Sequence, residues 1–268
     1  MQEFRDIIYE ESGYLSTITL NRPAKLNTLT DVMMREIREA LNLANQNESI
    51  RVIRMRGAGR AFSAGFDVSA DNGVRETPAQ WKAHFQNGNH TFRAIWNSSK
   101  PVIAQLHGYC LGGAFDMMLA CDLAICSENT KLGEPEVLWG GTSMFMLLPW
   151  VVGLKSCKKI LLTGENMPAE EAFRLNIVNE VVPAELLESR VLKLCKNMAT
   201  LPLGTLGLNK ALINRVYEIM GISEAIYASE ETAIFSLLSK EGEALEFDKM
   251  VEKVGMREAL KWRNSRFE

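Results

Sequence analysis

The alternation of hydrophobic and polar positions at the start of the chain predicts a hairpin followed by a helix. The runs IIYE and YLSTITL, within residues 7–20, are rich in β-branched and aromatic residues and are separated by Ser12-Gly13, which is typical of a β-hairpin. Thr30 is a residue type that caps helices. After it, apolar residues recur at helical spacing on one face: Met33, Ile37, Ala40, Leu41 and Ala44.

Further along the chain, strand-like runs alternate with turn-rich loops. Three segments show this pattern: VIRMRG (52–57) before AGRAFSAGFD, PVIAQLHG (101–108) before YCLGGAFD, and DLAICS (122–127) before a turn and GEPE. Strands and helices that alternate in this way predict an α/β fold with mostly parallel strands. Because the loops that follow parallel strands emerge at one end of the array, we expect Phe66, Gly113 and Glu136 to lie close together.

From about residue 150 the pattern becomes largely helical. Long amphipathic stretches such as SEAIYASEETAIFSLL follow Pro202. The C-terminal third is therefore predicted to be a helical region that packs on the core or on a neighbouring subunit.

Composition and charge narrow the class of protein. The net charge is -3 and the pI is about 5.8, so a basic surface for nucleic acid is not indicated. The five cysteines include no CxxC pair, which favours buried thiols in a reducing compartment. The three histidines lack the spacing of a metal site, so we expect no metal and look to carboxylates for acid–base chemistry.

The sequence also bears on location. The first residues are acidic and resemble no signal peptide, and no apolar run approaches the roughly 20 residues of a membrane helix. We therefore expect a cytoplasmic protein without a membrane or nucleic-acid partner. A matrix protein whose presequence has been removed would look the same.

Three stretches carry candidate chemistry. In Ala61–Asp67 (AFSAGFD), small residues around a glycine let a ligand approach the backbone, although a tight surface turn has the same composition. In Leu111–Asp116 (LGGAFD), two glycines before a helix present free N–H groups suited to an oxyanion, or simply allow close helix packing. Asp116 lies one helical turn after Gly113, which brings its side chain back towards the same face.

The third stretch, LGEPEVLWGG (132–141), sets two carboxylates beside apolar residues. A carboxyl group in apolar surroundings has a raised pKa and can act as a general acid or base. We assign this chemistry to Glu136 and expect Glu134 to lie on a solvated loop. The neighbouring residues indicate an apolar, bulky or aromatic pocket: Trp139, Met144, Phe145 and Met146.

Together these stretches resemble the crotonase family, the enoyl-CoA hydratase/isomerase superfamily. The resemblance covers about residues 5 to 200 and includes NRPAKLNTL, GRAFSAGFD, KPVIAQLHGYCLGGAFDMMLACDLAI, LGEPEVLWG and LLTGENMPAEEAFRLNIVNEVVP, in that order. It implies a spiral of ββα units over residues 1–200, which binds acyl-CoA, and a helical trimerisation region over residues 201–268. It also implies a homotrimer or a homohexamer.

The resemblance assigns roles to individual residues. Phe66 and Gly113 would donate the two backbone N–H groups that bind the thioester oxygen. Asp116 and Glu136 stand where the family's hydratases have two glutamates. Four residues would contact CoA, which enters as part of the substrate and not as a separate cofactor: Ser63, Ala64 and Asp67 along the adenine and pantetheine path, and Lys25 at a phosphate.

Three departures keep the reaction open. Asp116 is shorter than the family's glutamate, GGTSMFMLLPW replaces a stretch usually rich in Gly, Gln and Arg, and the C-terminal tail matches the family's last helix poorly. The leading hypothesis is a hydratase that adds water to an α,β-unsaturated acyl-CoA. The alternatives are an isomerase working with Glu136 alone, an acyl-CoA thioester hydrolase, and a non-catalytic relative that binds RNA.

Overall fold

The computed structural model describes residues 3–67, 75 and 77–267, and among these it contains two β-sheets surrounded by helices. The large sheet has the order β1-β2-β3-β4-β6-β9 and the small sheet the order β5-β7-β8. The strands are β1 Ile7–Ser12, β2 Leu15–Leu20, β3 Val52–Gly57, β4 Val102–Leu106, β5 Tyr109–Leu111, β6 Leu123–Ser127, β7 Lys131–Gly133, β8 Met167–Pro168 and β9 Glu180–Val182.

Eleven α-helices lie within the described residues, and the last five follow one another with no strand between them. They are α1 Asp31–Gln46, α2 Pro78–Trp96, α3 Gly113–Leu119, α4 Leu148–Val152, α5 Leu154–Thr163, α6 Ala169–Arg174, α7 Leu187–Ala199, α8 Leu203–Ile219, α9 Ile222–Leu238, α10 Glu243–Val254 and α11 Met256–Asn264. The predicted boundary at residue 200 falls between α7 and α8. No helix in the described part of the chain combines the length and apolarity needed to span a bilayer.

The predicted hairpin and first helix are confirmed. β1 pairs antiparallel with β2, and Ser12 is paired with Leu15 next to the turn. The Thr30 side chain accepts a hydrogen bond from the N–H of Met33 and caps α1. The apolar face predicted for this helix is fully buried. Local propensity, capping and burial therefore agree in this part of the chain.

The strands of the large sheet are parallel after the first pair, as predicted. β2, β3, β4, β6 and β9 follow one another in parallel register. Both faces of the sheet are covered. The α1 and α2 side carries the main core, with Phe62, Phe92, Phe115 and Phe145 fully buried. The opposite side packs on Val191 and its neighbours in α7. All five cysteines are free thiols, and four of them are buried.

Successive strands alternate between the two sheets. β4 of the large sheet is followed by β5 of the small sheet and then α3, and β6 is followed by β7 and a 3-10 helix at Pro135–Trp139. The segment after β3 follows the same course, because Ser63 forms an isolated parallel bridge with Cys110 of β5. This repeat is the predicted spiral of ββα units.

An ion pair between buried Lys210 and the partly exposed Asp122 joins α8 to the core. The Lys210 Nζ lies 2.8 Å from Asp122 Oδ2 and also donates to the carbonyl oxygen of Ile95 at 3.2 Å. Asp122 accepts a second hydrogen bond from the backbone N–H of Val102. Losing the ammonium would leave this carboxylate without its counter-charge.

We expect Lys210→Met to lower the free energy of unfolding by about 1–2 kcal/mol, since methionine preserves the side-chain volume but leaves the partly exposed Asp122 without its counter-charge. Urea denaturation at a fixed protein concentration measures the change. Lys193→Met on the exposed surface of α7 is the matched control and should change stability by less than about 0.5 kcal/mol. Equal effects of the two variants would show that the pair contributes nothing specific.

Candidate active site

The register of the small sheet brings the three candidate loops together. Ser63 is bridged to Cys110, and Cys110 is paired with Leu132 of β7. These three residues therefore lie side by side across the layer. Three residues after Ser63 and Cys110 come Phe66 and Gly113, and four residues after Leu132 comes Glu136. The predicted approach of Phe66, Gly113 and Glu136 is thus produced by the short strands of the small sheet, which form the second strand of each ββα unit.

The first two loops are in direct contact. A Cβ built on Gly65 would lie 2.7 Å from the carbonyl oxygen of Leu111 and 3.5 Å from the amide nitrogen of Gly113. A Cβ built on Gly113 would lie 2.2 Å from the ring of Phe66. Only glycine allows the two backbones to approach so closely, and Gly65 also has a positive φ of 92°.

Two backbone N–H groups at this contact are unpaired in the described part of the chain. Gly113 is the first residue of α3, so its N–H has no carbonyl partner within the helix. In the other loop, the N–H of Ala64 donates to the carbonyl oxygen of Leu26, and that of Asp67 donates to the carbonyl oxygen of Leu29. The N–H of Phe66 has no acceptor among the described residues. The predicted pair of donors is therefore free to bind an oxygen atom.

Glu136 lies against the start of α3. A Cβ built on Gly112 would lie 2.1 Å from Glu136 Oε1, so this position must be glycine for the carboxyl group to sit where it does. Gly112 also has a positive φ of 54°. Burial raises the pKa of Glu136 to about 7.

Asp116 faces the same region from α3 and is 2% exposed. The Ser143 hydroxyl donates to its carboxylate at 3.2 Å, and backbone N–H groups of Phe145 and Met144 also hydrogen-bond to it. Burial, with the charge of Glu136, nevertheless raises the pKa of Asp116 well above its ordinary range. The two predicted carboxyl groups therefore interact, and a negative charge on Glu136 disfavours the ionisation of Asp116.

The expectation of a solvated Glu134 is wrong. This residue is 3% exposed, and its carboxyl group is hydrogen-bonded to that of Glu136. It is buried because it belongs to a continuous buried run that extends from Leu132 in β7 to Pro135 at the start of the next 3-10 helix. Burial, together with the charges of Asp116 and Glu136, raises the pKa of Glu134 well above its ordinary range. The site thus holds three carboxyl groups.

Sequence reasoning also missed Ser143 and the whole of α2. Ser143 follows Asp116 by 27 residues and belongs to no motif, so only the fold reveals the contact. α2 contributes Gly88, where a Cβ would lie 2.6 Å from Met144 and 3.2 Å from the Phe66 ring. The capping pair Thr77 and Gln80 at its start was the available signal.

An apolar and aromatic wall adjoins the donors. The Phe66 ring lies 5.3 Å from that of His84 and 6.4 Å from that of Phe92, which in turn packs edge-on against Phe145 at 5.2 Å. The Nδ1 atom of His84 lies 2.6 Å from Asp31 Oδ1. The predicted apolar surroundings are therefore present, with Met144 and Phe145 buried and Trp139 half-buried.

The residues predicted to contact CoA flank the first loop. Ser63 is buried, and its hydroxyl accepts from the N–H of Gly65 at 3.2 Å. Ala64 is half-buried. Asp67 is buried and forms an ion pair with Arg22 at 2.8 Å. Lys25 lies exposed at the end of a short 3-10 helix. Their contact with CoA stays a prediction.

The C-terminal helices reach the third loop. Arg263 of α11 donates to the carbonyl oxygen of Leu138 at 3.0 Å, and a Cβ built on Gly140 would lie 2.9 Å from Ala244 of α10. The tail that departs from the family pattern therefore packs on the segment that carries Glu136. Within the described residues, no group of three or more His, Cys, Asp or Glu side chains is arranged to hold a metal ion.

Solved structures share this architecture over its whole length. The chain superimposes with a TM-score of 0.94 on an enoyl-CoA hydratase/isomerase from Xanthobacter autotrophicus, at 33% sequence identity. The match covers 99% of this chain and 100% of that one. The fold is therefore the crotonase fold.

Sequence comparison leads to the same family. A family model described as enoyl-CoA hydratase/isomerase matches residues 10–244. A probable enoyl-CoA hydratase from Rhizobium meliloti is 32% identical over 219 residues, which cover 81% of this chain and 84% of that protein. A crotonyl-CoA hydratase from Syntrophomonas wolfei is 32% identical over 215 residues, covering 79% and 82%. The chain belongs to the enoyl-CoA hydratase/isomerase family, also called the crotonase family.

Proposed function

We propose that this protein is an enoyl-CoA hydratase-like lyase that adds water across the double bond of an α,β-unsaturated acyl-CoA. The observation that carries the proposal is the juxtaposition of two free backbone N–H groups, on Phe66 and Gly113, with the interacting carboxyl groups of Asp116 and Glu136. Its relatives named as hydratases support the same chemistry. CoA enters as part of the substrate, and we propose no separate cofactor.

The two N–H groups stabilise the charge that develops during hydration. The thioester oxygen accepts hydrogen bonds from Phe66 and Gly113, and it gains negative charge as an enolate forms. Donors held in place by the fold need no reorganisation as that charge appears, which is why such sites stabilise the transition state. The carbonyl carbon is thereby fixed near the start of α3.

The two carboxyl groups handle the protons. Two buried carboxyls cannot both ionise freely, so at neutral pH the pair holds one proton. The ionised member takes a proton from water, whose oxygen bonds to Cβ while the π electrons move to the thioester oxygen. The protonated member delivers its proton to Cα as the enolate collapses. The pair has then exchanged roles and still holds one proton.

Asp116 can serve in place of the longer glutamate because its carboxyl group is fixed. The Ser143 hydroxyl and the backbone N–H groups of Met144 and Phe145 all hydrogen-bond to it. These groups lie in the stretch GGTSMFMLLPW, which departs from the family pattern. The two departures from the family pattern are therefore in contact, since Asp116 replaces the glutamate and residues of the altered stretch hydrogen-bond to it.

CoA is proposed to lie along the first loop, with Ser63, Ala64 and Asp67 beside the adenine and pantetheine and Lys25 at a phosphate. Because Asp67 forms an ion pair with Arg22, its role is to stabilise the loop and to orient the Arg22 guanidinium group. The Asp67 carboxylate does not itself bind an anionic part of CoA. The acyl chain is proposed to extend towards Met144 and Phe145.

A panel of enoyl-CoA and related thioesters, incubated with the purified protein and read by mass spectrometry, tests the proposed function. Hydration adds 18 Da, roughly the mass of one water, whereas isomerisation leaves the mass unchanged and hydrolysis releases free CoA. Turnover that only releases CoA, or none on any thioester, would refute the hydratase. Filter binding to RNA at physiological salt tests the non-catalytic alternative.

We also propose that the protein assembles as a trimer or a dimer of trimers through α8 and α9. Large apolar side chains on these helices are exposed in the single chain: Leu208, Leu212, Ile213, Ile219, Tyr227 and Phe235. Monomeric proteins rarely expose large apolar patches to water, and these six side chains lie on two consecutive helices. Covering it with copies of the same chain is the arrangement that the family resemblance implies.

Light scattering at micromolar concentration is expected to give three or six times the chain mass of 30.0 kDa. Leu212→Glu places a charge on the exposed apolar face and should dissociate the assembly, because a buried unpaired carboxylate is costly. Lys196→Glu on the exposed surface of α7 is the control and should leave the mass unchanged. A stable wild-type monomer would refute the assembly.

A further inference from the structure

Glu134 is a buried carboxyl group that the proposed acid–base pair does not use. It is 3% exposed, and it follows β7 directly, two residues before Glu136. An ionisable side chain is rarely so deeply buried without a partner of opposite charge, because its desolvation is expensive. Its presence at the centre of the candidate site therefore requires a physical explanation.

One oxygen atom of each glutamate lacks a hydrogen-bond donor in the described part of the chain. Glu134 Oε2 and Glu136 Oε2 are both buried with no hydrogen-bond donor from the described residues. The two carboxyl groups are nevertheless within hydrogen-bonding reach of each other. Two ionised carboxylates would repel each other and leave both oxygens unsatisfied. A single proton on one of the two groups removes this repulsion and supplies the hydrogen bond between them.

The surrounding charges favour Glu134 as the protonated member. The titratable groups that act on it are Asp116 of α3 and Glu136 of its own segment, both of which are acidic. The thiol of Cys110 in β5 is another titratable group that interacts with Glu134, and it carries no positive charge either. Glu136 is the less buried of the two glutamates. The hydrogen bond between them raises the pKa of Glu134 and lowers that of Glu136.

We propose that Glu134 is a positioning residue that stays protonated at neutral pH and donates a hydrogen bond to Glu136, which orients that carboxyl group and stabilises its ionised form. The inference rests on the proposed acid–base role of Glu136. It explains why a third carboxyl group can be buried beside the pair without adding a third charge. It also means that the site keeps one proton that is not transferred to substrate.

Two substitutions at this position separate hydrogen bonding from shape. Glu134→Gln keeps the length of the side chain and an N–H donor for Glu136, but it cannot ionise. Glu134→Leu removes the donor and keeps the site apolar. Without the donor the ionised form of Glu136 loses a stabilising interaction, so the pKa of Glu136 must rise.

The pH dependence of kcat is the kinetic readout. Glu134→Leu is expected to move the acid limb upward by about one pH unit, which lowers kcat about tenfold at pH values below the limb. In Glu134→Gln the acid limb should stay within about 0.3 pH units of its wild-type position, because the glutamine N–H replaces the lost O–H donor. KM should change little in either variant. A wild-type profile for Glu134→Leu, or the same shift in both variants, would overturn the proposal.

Infrared difference spectroscopy gives a second readout. It does not require an active enzyme, and it does not depend on whether Glu134→Leu folds. The difference between wild type and Glu134→Gln at neutral pH is expected to contain the carbonyl stretch of one protonated carboxylic acid. Loss of a carboxylate band instead would show that Glu134 is ionised and would overturn the proposal. If the thioester panel shows no hydration, the proposed function fails, but this measurement still decides the protonation of Glu134.

Discussion

Asp116→Asn and Glu136→Gln are each expected to lower kcat by about 100- to 10,000-fold on the best thioester substrate. Both substitutions preserve shape and remove the ability to exchange a proton. The loss should be similar in the two variants, because hydration needs one group to accept a proton and the other to deliver one. Steady-state kinetics over a range of pH measures it.

The pH dependence follows from the raised pKa values of the pair. The pair works with one proton, so kcat should fall when both members are protonated and again when both are ionised. The acid limb is expected near the Glu136 pKa of about 7, with activity lost as the pH falls below it. Deprotonation of Asp116 sets the alkaline limb, with activity lost as the pH rises through it.

Controls for this experiment come from the same region. Ser143→Ala removes a hydrogen bond to Asp116 but no proton-transfer group, so a smaller loss of about tenfold is expected. Loss only in Glu136→Gln would favour a one-base isomerase. Near-wild-type rates in both carboxyl variants would refute the mechanism.

Removing the N–H group of Gly113 is expected to lower kcat by about 100- to 1,000-fold, the usual loss when one oxyanion donor is deleted. Proline removes this group and is well tolerated at the first residue of a helix, where Gly113 lies. A single Gly113→Pro substitution would also collide with the Phe66 ring, which leaves no room for any side chain at this position.

The test is therefore made in a Phe66→Ala background. Phe66→Ala keeps its own backbone N–H and should cost less than about tenfold, since no donor is lost. Phe66→Ala/Gly113→Ala keeps both N–H groups and is the matched control for Phe66→Ala/Gly113→Pro. The two double variants differ in the N–H group of residue 113, so their kcat values should differ by the same factor of about 100 to 1,000. Equal rates would show that Gly113 donates nothing to the reacting oxygen.

Local sequence predicted the elements well where one physical signal dominated. The hairpin before Leu20, the cap at Thr30 and the strand Val52–Gly57 required only turn chemistry, capping and apolar patterning. The convergence of Phe66, Gly113 and Glu136 followed from one further rule, that loops after parallel strands share an end of the sheet. These features depend on residues near in sequence or on a general property of parallel sheets.

The burial and protonation of the carboxyl groups in the site could not be predicted from local sequence. Glu134 is charged, lies beside a proline and precedes a glycine-rich stretch, all of which is typical of a solvated loop. Its burial depends on the small sheet and on the contact between Glu136 and Gly112, which join residues more than 20 positions apart. Ser143 likewise reaches Asp116 only because the chain folds back over α3.

The sequence by itself therefore determined the family, the opening hairpin and first helix, the parallel strands that follow, and the loops that carry the candidate donors and carboxyls. Only the tertiary structure decided which carboxyl groups are buried together and which partners they have. The physical reason is that propensity and periodicity act over one or two turns of chain. The pKa of a carboxyl group depends instead on the desolvation, charges and donors that distant segments bring to it.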